Sequence, residues 1–103
     1  MAEEDEWEQV AHALERITRD PLADADDGAV RVVGITDPAG RRRYQEATIT
    51  VVPIVAGVAG ERLTMTEMVF DRRYWPAEGR VLPARISRSD PSVIEVDWDA
   101  LAR

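Results

Sequence analysis

The chain contains no cysteine and no lysine, one histidine and one phenylalanine. Without cysteine there can be no disulfide, no thiol nucleophile, no iron–sulfur cluster, and none of the structural zinc sites that rely on thiolates. All 13 basic residues are arginine. Arginine codons are GC-rich and lysine codons are not, so this bias carries no mechanistic weight. No apolar run approaches the roughly 20 residues that a membrane-spanning helix requires. The acidic start, MAEEDEWEQV, is the reverse of the basic start of a secretory signal. These absences lead to the expectation of a cytoplasmic chain with no membrane segment.

The lone histidine, His12, is the only imidazole available for general-base or metal chemistry. On a helical reading it faces solvent between Glu8 and Arg16, and no serine is placed near it to build a Ser-His-Asp set. It therefore reads as a surface residue. No cofactor or metal motif survives inspection. DADDG, residues 24 to 28, invites comparison with a calcium loop. With Gly28 at the sixth loop position, however, the first, third and twelfth ligand positions fall on Ala23, Ala25 and Gly34. GVAGE, residues 57 to 61, lacks the lysine and hydroxyl residue of a phosphate loop and reads as a hairpin turn.

What is present is one domain of 103 residues, long enough to bury roughly 60–70% of the surface of its unfolded chain. The net charge of −7 is unevenly spread. Residues 1 to 28 hold ten acids and two arginines; residues 29 to 88 hold six acids and ten arginines; residues 89 to 103 hold four acids and one arginine. Acidic ends around a basic middle suit internal ion pairing or a two-sided molecule better than a general polyanion binder.

Trp7, Val10, Ala11, Leu14 and Ile17 form one stripe at helical spacing, Asp5 and Glu8 make a capping box, and Asp20-Pro21 ends the pattern. The spacing predicts an amphipathic helix over about 5–19, followed by an acidic connector over 20–28. A period of two then takes over. AVRVVGIT (29–36), RRYQEATITVVPIV (42–55), RLTMTEMVFDRRYW (62–75), RVLPARIS (80–87) and SVIEVDW (92–98) read as five strands, with DALAR (99–103) as a short tail. Pro53 cannot donate to a ladder, so the second strand is expected to bend there or run along an edge. In the third strand the apolar parity switches between Met65 and Met68, which a bulge near Thr66 or Glu67 would repair. In the last two strands, Leu82, Ala84 and Ile86, and then Ile94, Val96 and Trp98, are expected to face inward.

Short connections favour antiparallel neighbours. The expected fold is α+β: the N-terminal helix packed on a five-stranded antiparallel meander over 29–98. The alternative is a strongly bent small β-barrel capped by the helix.

Two clusters couple arginine to aromatics: Arg41-Arg42-Arg43-Tyr44, and Arg72-Arg73-Tyr74-Trp75 before Pro76. One opens the second strand and the other closes the third, so antiparallel pairing would bring them to one end of the sheet. Arginine beside aromatic rings can hold single-stranded nucleic acid, but the net charge and the neighbouring Asp71 and Glu78 oppose that partner. The same residue types anchor protein interfaces, where arginine binds carboxylates in bidentate fashion.

Arg42, Arg43, Tyr44, Arg72, Arg73, Tyr74 and Trp75 are therefore the candidate contact residues of a small, acidic, non-catalytic interaction or regulatory module that self-associates or binds another protein. A purely internal role for these residues is the competing reading. A second function is a small-ligand-binding protein or enzyme with a cavity between sheet and helix, using Tyr44, Tyr74, Arg72 and Glu67. A third is an acidic inhibitor or nucleic-acid mimic built on Glu3, Glu4, Asp5, Glu6, Glu8 and the aspartates of residues 24–27.

Overall fold

The computed structural model describes residues 22 to 103. The expected helix over 5–19, with His12, lies outside them. Six strands follow in order: β1 (Ala25–Ile35), β2 (Tyr44–Val55), β3 (Val58–Ala59), β4 (Leu63–Asp71), β5 (Val81–Ser87) and β6 (Ile94–Val96). Two short 3-10 helices, Arg72–Tyr74 and Trp98–Ala102, complete the set.

The α+β expectation is overturned. Strands make up 54% of the molecule as described, and no helix among the described residues reaches seven residues.

β1 begins in the middle of what composition marks as a connector. Its first residues pair with β5, Ala25 with Ser87 and Asp27 with Arg85. The polar side chains there are satisfied by distant parts of the chain. Asp24 accepts from the Ser87 hydroxyl at 3.0 Å and the Ser89 amide at 2.9 Å, and Asp26 holds the Arg88 guanidinium at 2.6 Å. Hydrogen bonding by Ser89 is the main cause that keeps the Asp24 carboxyl below its ordinary range; partial desolvation opposes it and Ser87 adds to it. Asp26 is lowered chiefly by its hydrogen bond from Arg88. The aspartates fasten their own strand, and no cluster of three metal-ligating side chains exists among the described residues.

β2 turns back through Ala56 and Gly57, whose φ values of 50° and 77° are both positive, so that Val55 faces Val58. A two-residue turn of this kind matches the right-handed twist of its strands. β3 and β4 then share one edge of β2, interrupted between Ala59 and Leu63. Pro53 sits opposite that interruption. Its carbonyl accepts from the Gly60 amide at 2.8 Å, but it has no N–H to return the bond. Further along, Ala47 faces Met68 while Ile49 faces Met65, leaving one extra residue on β4. The bulge expected from the parity switch is there, with Glu67 at a φ of 56°, and it keeps Leu63, Met65, Met68 and Phe70 on one face.

β5 does not continue the meander. After β4 the chain crosses back and pairs with the free edge of β1, Val30 facing Leu82, and β6 adds beyond β5. The sheet runs β3-β2-β1-β5-β6 with β4 also on β2, and it is not closed. Both the meander and the barrel alternative are therefore corrected. Residues 72 to 80 are long enough to make the crossing, and the Gly79 amide on the Val32 carbonyl, at 2.8 Å, ties them to β1.

β1 is thus central, and Val30 and Val32 are wholly buried with Ile49, Val51 and Leu82. The inward faces read from sequence for β5 and β6 hold: Leu82, Ala84, Ile86 and Val96 belong to the core, with Ile94 and Trp98 packed against it. The final residues are more than a tail, since Ala100 is buried and Leu101 packs on the core.

Among the described residues no helix covers this open sheet, and one face is hidden by curling. Phe70 stands edge-on to Trp75 at 5.8 Å between centroids and to Trp98 at 5.0 Å. These rings join the β4 edge to the segment beyond β6.

Candidate interaction surface

The Arg–aromatic surface is built at the open end of the β2–β4 pair. Tyr44 faces Asp71 in register, and the ladder runs one step further through the Arg72 amide to the Arg43 carbonyl at 2.6 Å. The two clusters, 28 residues apart in sequence at Arg43 and Asp71, meet as antiparallel pairing requires.

Asp71 organises them. One carboxylate oxygen takes the Arg43 Nε at 3.1 Å and an Arg73 terminal nitrogen at 3.2 Å, and the other takes the Arg73 backbone amide at 2.9 Å. The last bond caps the 3-10 helix over Arg72–Tyr74. Only 15% of the Asp71 side chain is exposed, so it acts from beneath the arginines. Its hydrogen bond is the main cause that raises the Arg43 guanidinium above its ordinary value, against some desolvation.

Two guanidiniums stack on their neighbours, Arg43 over Tyr44 at 5.0 Å and Arg73 over Tyr74 at 5.4 Å. The rings stay accessible, Tyr44 being 59% and Tyr74 41% exposed. Arg41, Arg43, Arg72 and Arg73 line a shallow concavity of about 410 Å³. With Arg42 beside it, the surface presents five guanidiniums over a single organising carboxylate.

No family model, no curated protein and no solved structure matches this chain. The surface therefore has to be read from its own chemistry.

Of the residues singled out in sequence, Arg43, Tyr44, Arg72, Arg73 and Tyr74 come together here. Arg42 is exposed alongside, and its carbonyl accepts from the Gln45 amide nitrogen at 2.7 Å. Trp75 takes a different place. Its indole N–H donates to the Thr36 carbonyl at 3.0 Å, and its ring packs on Phe70 and the core. Glu67 is exposed on the bulge, apart from any enclosed space.

Two contributors were not foreseen. Gln45 accepts from the Ala39 amide at 2.8 Å while donating to Arg42, bracing the loop that carries the first cluster. In the sequence Asp71 reads only as a charge against nucleic acid. Its position directly before Arg72 and Arg73 was a usable signal, because an acid at that spacing is a natural cap.

Chemically, the arrangement can grip carboxylates. Guanidinium forks pair bidentately with carboxylate oxygens, and stacked tyrosines add apolar contact at little entropic cost. Among the described residues the only buried polar side chain is Ser87, whose hydroxyl bonds to Asp24 and receives the Asp90 amide. No buried carboxylate there offers an acid–base group.

Proposed function

We propose that this protein is a non-catalytic interaction module that binds carboxylate-bearing protein surfaces, its own copies included, through the Arg–Tyr end of β2 and β4. The observation that supports this most directly is the convergence of two arginine clusters, with exposed tyrosines, over one half-buried organising acid. Arginine and tyrosine are enriched at the energetic centres of protein interfaces. A net charge of −7 works against nucleic acid as the ligand. No helix among the described residues is long and apolar enough to cross a membrane, and a cysteine-free chain suits the cytoplasm, where we place it.

The contact is made by side chains rather than by strand addition. The β4 edge is broken by the bulge at Glu67, a device that discourages edge-to-edge pairing.

Arg41 and Arg72 are exposed and hold no ion-pair partner among the described residues, so R41E/R72E probes the surface without touching Asp71. The expected outcome is an unchanged melting temperature, with loss of whatever association the wild-type chain shows in light scattering on a sizing column. A wild-type chain that stays monomeric and binds no acidic protein ends this reading. Tight binding of a single-stranded oligonucleotide, lost in the same variant, would replace it with a nucleic-acid role.

A further inference from the structure

A second charged surface lies across the sheet from the arginines. Asp27 on β1, Arg85 on β5 and Glu95 on β6 face one another in register across three strands. With Asp97, Trp98 and Asp99 they line an open groove of about 510 Å³. Four carboxylates and one guanidinium therefore share this groove. Arg103 engages Asp97 at 2.5 Å, and Arg85 donates to the Leu22 carbonyl at 3.2 Å. Asp27, Glu95 and Asp99 have no ion-pair partner among the described residues. Trp98 gives the groove an aromatic wall, the surface on which a guanidinium stacks most favourably.

The arginine surface is its electrostatic complement. One belongs to β2 and β4, the other to β1, β5 and β6, and strand order sets them toward opposite edges of the sheet. No ion pair joins them within the chain among the described residues. Complementary patches that cannot meet in one molecule can meet between two.

Resting on the function proposed above, we infer that the partner of the arginine surface is a second copy of this chain. The guanidiniums of Arg41 and Arg72 enter the groove of Asp27, Glu95 and Asp99, and Trp98 stacks against one of them. Because the two surfaces differ, the contact either closes reciprocally about a two-fold axis or continues head to tail.

The test compares wild type, R41E/R72E, D27R/E95R and an equimolar mixture of the two variants, by light scattering on a sizing column. Salt is set at about 0.01 M and about 1 M, where the screening length falls from about 30 Å to about 3 Å. The wild-type chain should associate at low salt and separate at high salt. Each variant alone should associate at least about tenfold more weakly, since reversal places like charges in contact. The mixture should regain association, because one variant keeps the groove and the other keeps the arginines. That recovery cannot come from variants that have failed to fold.

If D27R/E95R associates like wild type while R41E/R72E does not, the inference is overturned and the proposed function stands, with another acidic occupant for the arginines. Glu3, Glu4, Asp5, Glu6 and Glu8 of a second copy would then be the next to neutralise. A wild-type chain that is monomeric at low salt also overturns the inference. So does a mixture that stays monomeric when both variants keep their far-UV circular dichroism.

Discussion

Phe70 and Trp98 stand edge to face with centroids 5.0 Å apart, although one closes the strand on one edge of the sheet and the other follows the strand on the opposite edge. The contact holds the curl. Phe70→Ala should cost about 3–5 kcal/mol, the range for removing a buried phenylalanine. Denaturant titration read by tryptophan fluorescence would measure it, with a red-shifted native spectrum as the rings lose cover. A loss below about 1 kcal/mol would mean that the edges are held by something else.

Gly28 on β1 packs closely against Ile54 of β2. A methyl group there would sit 2.5 Å from the Ile54 carbonyl oxygen and 3.0 Å from the Ile86 terminal methyl. Backbone cannot yield as a flexible side chain does. Gly28→Ala should therefore destabilise by about 1–3 kcal/mol despite its lower unfolded-state entropy. A rise in melting temperature would show that the strands are further apart than this.

Ala56 occupies the first centre of the β2–β3 turn with a φ of 50°, a region that asparagine tolerates and alanine does not favour. Ala56→Asn should stabilise by about 0.5–1 kcal/mol, which is about 2–8 °C in melting temperature for a domain of this size. The change lies at the far end of β2 from Tyr44 and the arginine surface.

Acid should loosen the start of β1 first. The Asp24 and Asp26 carboxyls are both lowered, Asp24 mainly by hydrogen bonding from Ser89 and Asp26 mainly by hydrogen bonding from Arg88. The folded chain therefore takes up these protons less readily than the unfolded chain. Their contribution is complete above the unfolded value near pH 4 and fades as pH falls through the lower folded values. Unfolding free energy measured from pH 7 to pH 3 should fall more steeply for wild type than for D24N/D26N. Parallel curves would refute the assignment.

The strands were legible where one face is buried and the other wet. Alternation alone puts Leu82, Ala84 and Ile86 inward, and the parity switch in β4 puts a bulge near Thr66 or Glu67, where Glu67 carries it. The convergence of the arginine clusters also followed from pairing two neighbouring strands. The path after Tyr74 did not, because short-connection logic assigns β5 to β4, and nothing local marks residues 72 to 80 as a crossing. The start of β1 was hidden for a related reason. Asp24 and Asp26 look solvated until Ser87, Arg88 and Ser89, more than 60 residues later, supply their partners. Its arginine neighbours mark Trp75 as exposed, yet Thr36 and Phe70 draw it inward.

The central place of β1 also bears on how the molecule is made. Synthesis delivers β1 before either of its neighbours, and the edge that takes Val81–Ser87 stays vacant until that strand has left the ribosome. Through that interval Val30 and Val32 lie on a half-paired strand, the kind of edge that recruits foreign strands. A chain cut short before β5 would keep that edge permanently, so the stretch from Val81 onward guards the first strand against aggregation.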